Sequence, residues 1–290
     1  MRETTMKLTN KVAILTGGGR GIGEAIATAY AREGARLSLV ARTKAQIDTV
    51  ATTLKQQGIE CLPIQGDVSK ETTAHKVVQK TLDTFGTIDI LVNCAGILGP
   101  VGRFDTNNWK DWKQTLDVNL YGTLQFIKET VPVMMNKNYG KIINFSGGGA
   151  TSALPNFTAY GASKVAIVRL TETLAHEYKD YHIDINAIAP GAVNTKMQEE
   201  ILQAGDRAGA DYHKKTLQQQ QKGGTPPEIA AQLAVFLASA DSDGLTGKLI
   251  SAPWDDWKNF KTEDNKKVTS SSLYTLRRID NMQFTEKKEK

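Results

Sequence analysis

A tyrosine and a lysine lie four residues apart, at Tyr160 and Lys164, in a segment with a helical pattern. This spacing places both side chains on one helical face, where they can act on the same ligand. A phenol has a pKa of about 10, and a nearby ammonium group favours the phenolate and lowers that pKa. The pair therefore predicts a proton donor or acceptor. Without other signals, an ordinary exposed pair would be the better interpretation.

A glycine-rich turn follows the first predicted strand. The sequence Thr16-Gly17-Gly18-Gly19-Arg20-Gly21-Ile22-Gly23 leads directly into a helical pattern. Glycine permits positive φ and lets a pyrophosphate approach the backbone, where free N–H groups at the helix start attract it. A plain tight turn is the alternative, but the position between strand and helix favours a dinucleotide site. The predicted contacts are Gly17, Gly19, Arg20, Gly21, Ile22 and Gly23.

The residues after the second predicted strand indicate which dinucleotide binds. An acidic side chain there would bind an adenosine ribose 2′-hydroxyl and repel a 2′-phosphate. This chain instead has Ala41 and Arg42, and Arg20 lies within the glycine turn. Two guanidinium groups favour a 2′-phosphate, so the sequence predicts NADP(H) in preference to NAD(H). The alternative is that both arginines are solvated surface residues.

Two further motifs are consistent with a dinucleotide. Asp67-Val68 follows the third predicted strand, where it can contact an adenine edge. Asn93-Cys94-Ala95-Gly96 ends the fourth, where small residues leave room for the cofactor. The predicted contacts are Asp67, Val68, Asn93, Ala95 and Gly96.

Short apolar runs alternate with longer helical patterns along most of the chain. Strands are predicted at 12–15, 37–40, 61–64, 88–92, 141–145, 183–188 and 248–250. The third is weaker because Pro63 cannot donate a ladder hydrogen bond. Helical patterns lie between the strands, for example at 21–32, 44–57 and 70–85. The alternation predicts an α/β fold with a doubly wound parallel sheet in a single domain.

The composition excludes several classes of protein. The chain has 290 residues, 40% hydrophobic and 23% charged, as is ordinary for a globular protein. Its two cysteines exclude a disulfide framework and a cysteine-rich zinc site. No apolar run reaches the roughly 18 residues of a membrane helix, and residues 1–10 lack the apolar core of a signal peptide. We therefore expect a cytoplasmic protein.

Charge and histidine spacing suggest what the protein does not bind. The net charge of +5 comes from a surface of mixed sign, and no nucleic-acid motif accompanies it. The four histidines share no spacing, so we expect no metal site. The expected partner is a small molecule, without nucleic acid or membrane.

The order of the motifs resembles the short-chain dehydrogenase/reductase family. Beside the glycine turn and Asn93-Cys94-Ala95-Gly96, the chain has Asn119, Tyr160-x-x-x-Lys164 and Pro190-Gly191. The resemblance runs from about residue 7 to residue 250 and implies a seven-stranded Rossmann sheet. It implies Tyr160 as the proton donor or acceptor, Lys164 as its activator, and Asn119 as the holder of a water in the proton relay.

The same resemblance implies further contacts and an assembly. The cofactor would be contacted by Tyr160, Lys164, Pro190, Gly191, Val193 and Thr195. The last of these is expected against the nicotinamide carboxamide or the phosphates. A homodimer or homotetramer is implied through the helix after Tyr160 and the helix containing Asn119.

One departure from the family pattern concerns catalysis. The family usually places a serine thirteen residues before the tyrosine to polarise the substrate carbonyl, and this chain has Gly147 there. Ser146 is one residue away, and a one-residue shift along a strand reverses the direction of a side chain. A bulge in the following glycines would turn Ser146 inward, so Ser146 is predicted for the role. Ser152 is the second choice and a site without a serine the third.

Two segments depart from the strand–helix alternation. Residues 197–224 are polar and follow the sixth strand, where a lid over the substrate is expected, within a Rossmann domain of residues 1–252. Their polarity favours a polar or sugar-like substrate over a steroid or a long acyl chain. An exposed lid would explain the same polarity equally well. Residues 253–290 form a C-terminal extension, in which Trp254 and Trp257 are expected to pack against the core or a partner subunit. The alternative is that they line the substrate mouth.

Together these features predict an NADP(H)-dependent oxidoreductase. It would transfer hydride between nicotinamide and a carbonyl or secondary alcohol, with Tyr160 moving the proton. The alternative is a dinucleotide-binding regulatory or scaffold protein with weak or no catalysis, which Gly147 favours. A pure binder would not need the proton relay of Tyr160, Lys164 and Asn119.

Overall fold

Seven strands form one parallel sheet in the computed structural model, which describes residues 6–277. They are β1 (Val12–Thr16), β2 (Arg36–Ala41), β3 (Cys61–Gln65), β4 (Ile90–Asn93), β5 (Gly140–Phe145), β6 (Ile183–Ala189) and β7 (Leu249–Ser251). Their order across the sheet is β3-β2-β1-β4-β5-β6-β7. The order reverses between β1 and β4, where a doubly wound sheet opens its ligand crevice. The predicted α/β Rossmann fold is confirmed.

Helices cover both faces of this sheet. They are α1 (Gly21–Arg32), α2 (Lys44–Gln56), α3 (Glu71–Phe85), α4 (Trp109–Leu116), α5 (Gly122–Asn136), α6 (Thr158–Glu177), α7 (Lys196–Ala204), α8 (Ala210–Gln221), α9 (Pro227–Ala238) and α10 (Thr262–Ser270). One apolar core joins α1, α2 and α9 to the sheet, and a second joins α3, α5 and α6 to its other face. The two cores hold the strands in place, and the candidate site lies at the carboxyl ends of these strands.

Strand β1 shows why the predicted strands are continuous apolar runs. Ala13 and Leu15 belong to the first core, whereas Ile14 between them belongs to the second. Because a strand in a two-sided sheet is buried on both faces, the first four residues of β1, 12–15, are all apolar. The end of β1, and the glycine turn after it, lie at the carboxyl edge of the sheet, where β1 is flanked by β2 and β4.

Strand β3 tolerates its proline because of its place in the sheet. It pairs only with β2, with Pro63 opposite Leu39, and forms the edge. At an edge, a strand can omit one ladder donor. The weaker strand prediction for this segment is therefore confirmed.

A π-helical turn, Asp117–Tyr121, joins α4 to α5. It begins after α4, whose first turn is capped by Asn108 Oδ1, the acceptor for Lys110 N at 2.8 Å. Such turns are rare and often occur at functional sites. Here the turn contains Asn119.

The two irregular segments have helical structure. Residues 196–221 form α7 and α8, and the extension contributes α10 and the residues up to 277. Residues 278–290 of the extension and residues 1–5 lie outside the described part. Within residues 6–277, no helix is long and apolar enough to cross a membrane.

Candidate active site

Two adjoining cavities open at the carboxyl ends of the strands. The first, of about 710 Å³, is lined by the glycine turn and is called the glycine cavity below. The second, of about 670 Å³, is lined by Tyr160 and Lys164 and is called the tyrosine cavity. The two share lining residues, namely Ile22, Cys94, Gly96, Thr195 and Met197. A ligand in one cavity can therefore reach into the other.

The glycine turn is shaped by close backbone packing. Gly17 has φ +73°, and a Cβ atom there would lie 2.9 Å from the backbone of Ala95. A Cβ atom at Gly23 would lie 2.1 Å from the carbonyl oxygen of Gly17. Only glycine fits either position, so the turn keeps the backbone open towards the cavity. Thr16 Oγ1 accepts hydrogen bonds from Cys94 N at 3.1 Å and Ala95 N at 3.2 Å, which ties the turn to the end of β4.

Helix α1 begins directly at this turn and directs its start at the cavity. No side chain caps its first N–H groups. Free N–H groups at a helix start favour phosphate. The uncapped helix and the glycine backbone therefore fit the pyrophosphate of a dinucleotide.

The residues expected at the adenosine end also line the glycine cavity. Arg20, Arg42, Asp67 and Val68 all do so, and both arginines are exposed. The start of α7 adds charged groups that sequence analysis missed, namely Lys196, Glu199 and Glu200. The only indication of these three residues in the sequence is their position after the sixth predicted strand.

Tyr160 and Lys164 lie buried on α6. Lys164 Nζ donates a hydrogen bond to Phe145 O at 2.8 Å and lies 5.5 Å from the centroid of the Tyr160 ring. Burial raises the pKa of the Tyr160 phenol well above its usual value and lowers the pKa of Lys164 to about 8. Among the protein's own groups, burial is the largest cause of the raised pKa of Tyr160, and it outweighs the lowering by the ammonium that the sequence suggested.

Asn119 is held in place by a peptide group and a hydroxyl. Its Oδ1 accepts from Ile97 N at 2.8 Å, and its Nδ2 donates to Ile97 O at 2.9 Å and Ser163 Oγ at 3.0 Å. A Cβ atom at Gly96 would lie 3.4 Å from Asn119 Oδ1 and 3.7 Å from Lys164 Nζ. Glycine at position 96 therefore leaves the space between these two groups clear.

The position before the tyrosine differs from a serine site. A Cβ atom at Gly147 would lie 2.3 Å from Tyr160 Oη. The Oγ of Ser146 is fully buried and has no hydrogen-bond partner among residues 6–277. Neither Ser146 nor Ser152 lines the tyrosine cavity, whereas Thr151 does. Neither serine is thus part of the cavity wall that Tyr160 forms.

Most of the other predicted site residues meet at the two cavities. Those that line one or both are Gly17, Gly19, Arg20, Gly21, Ile22, Gly23, Ala41, Arg42, Asp67, Val68, Ala95, Gly96, Tyr160, Lys164, Pro190, Gly191, Val193 and Thr195. Asn93, Asn119 and Ser146 do not line either cavity. Asn93 instead bridges the sheet, since its Nδ2 donates to Asn144 Oδ1 at 3.0 Å.

Apolar side chains that sequence analysis missed surround Tyr160. Leu98, Phe157 and Ile201 pack with it in one cluster, and Tyr212 packs against that cluster. Ile201 and Tyr212 come from the polar segment at 197–224. The segment therefore has an apolar inner face, and its polar residues belong to its outer face. The four-residue spacing of Met197 and Ile201 is the sequence signal that could have predicted this apolar inner face.

The C-terminal extension also reaches the tyrosine cavity, through Trp254, Asp255, Tyr274, Thr275 and Leu276. Trp254 is 82% exposed at the cavity. Trp257, in contrast, is buried in the first core, and its Nε1 donates to Ala252 O at 2.9 Å. Packing against the core or a partner subunit was the first interpretation for both tryptophans, and the substrate mouth was the alternative. Trp257 packs in the core, whereas Trp254 lines the cavity.

Comparison with known proteins gives the family. The family model for short chain dehydrogenases matches residues 11–206. The oxidoreductase UcpA of Salmonella typhimurium is 37% identical over 248 residues, covering 83% of this chain and 92% of the relative. Among solved structures, NAD⁺-bound xylitol dehydrogenase has a TM-score of 0.78 at 29% identity, covering 84% of this chain and 98% of that one.

A second solved structure has a different cofactor. Gluconate 5-dehydrogenase from Burkholderia cenocepacia, in complex with NADP and tartrate, has a TM-score of 0.76 at 27% identity. That match covers 85% of this chain and 95% of the other. The residues matched by the family model include the glycine turn, the π-helical turn and the Tyr160–Lys164 pair. This chain is an oxidoreductase that belongs to the short-chain dehydrogenase family.

Proposed function

We propose that this protein is an NADP(H)-dependent oxidoreductase that interconverts a carbonyl compound and a secondary alcohol, with Tyr160 as proton donor and acceptor. The observation that carries the proposal is the continuity of the two cavities. Gly96 and Thr195 line both, so a dinucleotide along the glycine turn would end beside Tyr160. When bound, the nicotinamide supplies or accepts the hydride.

The state of Tyr160 suits a proton donor. Its raised pKa keeps the phenol protonated at neutral pH, as the reduction of a carbonyl requires. Lys164 has its Nζ 5.5 Å from the centroid of the phenol ring, and a lowered pKa lets it exchange protons near neutral pH. Asn119 lies beside the same gap at Gly96, which supports a proton relay through this space.

The arginines favour NADP(H) as the cofactor. Arg20 and Arg42 line the glycine cavity near the end of β2, where an acidic residue would select NAD(H). Their positive charge suits a 2′-phosphate. One solved relative is bound to NAD⁺ and another to NADP, so the family alone leaves the choice open.

We assign the polarisation of the substrate carbonyl to Thr151. The role predicted for Ser146 needs a hydroxyl in the tyrosine cavity, and Ser146 does not line that cavity. Thr151 follows the same glycine bend and lines the cavity. A hydrogen bond from its hydroxyl would stabilise negative charge on the carbonyl oxygen.

Exposed aromatic side chains support the homodimer or homotetramer. Phe104 precedes α4, Trp109 begins it and Tyr121 ends the π-helical turn after it, and all three side chains are more than half exposed. Large exposed apolar groups that lie together mark interaction surfaces. Trp109→Glu is expected to yield smaller particles by light scattering, and an unchanged mass would contradict this interface.

Consumption of NADPH with a panel of ketones and aldehydes tests the function. We expect turnover by the unaltered protein and a loss of at least about a hundredfold in Tyr160→Phe, because the proton donor is removed. NADPH affinity, followed by its fluorescence, is the control and should stay equal. If both proteins bind NADPH equally and neither turns over any carbonyl, the chain is a dinucleotide-binding scaffold instead.

A further inference from the structure

The chain beyond β7 returns to the tyrosine cavity. Residues 274–277, called the C-terminal strap below, lie beside β7, where Leu249 N donates to Tyr274 O at 2.8 Å. The strap residues that line the cavity are Tyr274, Thr275 and Leu276. They lie outside residues 11–206, the part that matches the family model. The strap is thus a wall of the site that the family match does not cover.

A buried lysine fixes the residues just before the strap. Lys248 is buried, and its Nζ donates to Ser271 O at 2.8 Å and to Leu273 O at 3.2 Å. A buried ammonium group is tolerated only with such partners. Lys248 therefore determines where the strap begins.

A buried carboxylate holds the strap itself. Glu172 lies on α6, two turns beyond Lys164, and its Oε1 accepts a hydrogen bond from Leu276 N at 2.8 Å. Its Oε2 accepts from Arg277 Nη1 at 3.2 Å and also contacts Arg169. Arg169 Nη2 in turn donates to Leu276 O at 2.8 Å. The strap is thus attached to the helix that carries the proposed proton donor.

We propose that the strap is a specificity-determining wall of the substrate site and that Glu172 is its positioning residue. In this arrangement Tyr274 and Leu276 contact the body of the substrate while its carbonyl carbon lies at Tyr160. The inference rests on the proposed function and narrows its substrate class.

The other side chains that line the tyrosine cavity identify the substrate class. Leu98, Phe157 and Ile201 pack with Tyr160 and line the same cavity as the strap, and Tyr212 lines it as well. Walls of this kind bind apolar surface. The substrate is therefore a carbonyl compound with an apolar, ring-sized body rather than a small polyol.

A purely structural strap would have a different effect. Covering an edge strand prevents unwanted pairing with other chains, and such a cover changes stability without regard to substrate size. A specificity wall instead changes the preference between large and small substrates. Two ketones distinguish these roles, the bicyclic 2-decalone and the smaller cyclohexanone. The measured quantity is the selectivity ratio, which is the specificity constant kcat/KM with the bicyclic ketone divided by that with cyclohexanone.

Two substitutions in the full chain test the wall. Tyr274→Gly keeps the backbone, since Tyr274 has φ +58° and glycine adopts this conformation freely. Together with Leu276→Ala, it is expected to lower the selectivity ratio about tenfold, because the larger ketone loses apolar contacts. Leu273→Ala is the matched control, since Leu273 is 59% exposed and does not line the cavity.

Substitution of Glu172 tests the positioning role. Glu172→Ala removes the acceptor for Leu276 N and is expected to lower the selectivity ratio by raising the Michaelis constant for the bicyclic ketone, with little change in kcat. Glu172→Gln retains an amide oxygen that can accept from Leu276 N, so it should restore much of the ratio. If Glu172→Ala lowers the free energy of unfolding but leaves the selectivity ratio unchanged, the positioning role of Glu172 is contradicted.

Calorimetry separates this inference from the proposed function. In the Tyr160→Phe background with NADPH, 2-decalone is expected to bind, and Leu276→Ala is expected to weaken its binding about tenfold. Binding that depends on Leu276 without any turnover by the unaltered protein would support the wall and overturn the proposed reaction. Equal affinity with and without Leu276→Ala, or no binding of 2-decalone at all, would overturn the wall.

Discussion

The hydroxyl of Tyr160 occupies the space that a side chain at Gly147 would need. A Cβ atom at position 147 would lie 2.3 Å from Tyr160 Oη, well inside van der Waals contact. The glycine that breaks the family's serine pattern therefore also lets the phenol approach the end of β5. This contact explains how the phenol can pack closely against the backbone after β5 in a site without the usual serine.

Gly147→Ala is expected to displace the phenol and to lower kcat about tenfold or more, since small misplacements of a reacting group are costly. NADPH affinity should stay within about twofold, because Gly147 does not line the glycine cavity. Steady-state kinetics and fluorescence titration measure the two effects. Gly148→Ala is the matched control, since its Cβ would meet only Leu154 at 3.5 Å. Equal kcat in both variants would contradict the crowding.

Arg42→Ala is expected to weaken NADPH binding about tenfold or more, through loss of a charge-assisted contact to the 2′-phosphate. NADH binding should change little, because NADH lacks that phosphate. Fluorescence titration with both cofactors measures the difference. Lys44→Ala provides the control, since exposed Lys44 pairs with Asp48 and does not line the glycine cavity. Equal losses for both cofactors would rule out recognition of the 2′-phosphate.

Lys164→Met is expected to change how stability depends on pH. Burial lowers the pKa of Lys164 from 10.5 to about 8, so between these values the unfolded chain binds more protons than the folded protein. The free energy of unfolding of the unaltered protein should therefore rise relative to Lys164→Met, by about 2 kcal/mol between pH 7 and pH 9.5.

Urea unfolding across this pH range measures the effect. Lys80→Met, on the exposed face of α3, should follow the unaltered protein because its lysine stays in water. Parallel pH curves for the unaltered protein and Lys164→Met would show that Lys164 keeps its ordinary pKa in the fold.

Ser146→Ala is expected to leave kcat within about threefold and to leave stability unchanged or raise it by about 1 kcal/mol. The reason is that Ser146 Oγ is buried without a partner in the described chain, and an unmet hydroxyl is costly. Thr151→Val should lower kcat about tenfold or more if its hydroxyl polarises the carbonyl. The opposite order of effects would return this role to Ser146.

The sequence predicted the Rossmann fold, and most of the residues it proposed for the dinucleotide line one of the two cavities. Continuous apolar strands, a glycine turn at the first strand–helix junction and the Tyr160–Lys164 spacing are all local signals. Local signals suffice there because parallel strands bring their carboxyl ends to one edge of the sheet. Asn93 is an exception, because the direction of its side chain depends on β5 beside it.

The amino-acid order alone thus determined the sheet, the family and the pair proposed to move the proton. The tertiary structure decided the rest of the site: that Ser146 does not line the tyrosine cavity, that the polar lid turns an apolar face to Tyr160, and that Tyr274 and Leu276 line the cavity. Each depends on contacts between residues far apart in the chain, such as Leu276 with Glu172. No local pattern encodes such a contact, because its free energy exists only once both segments are packed together.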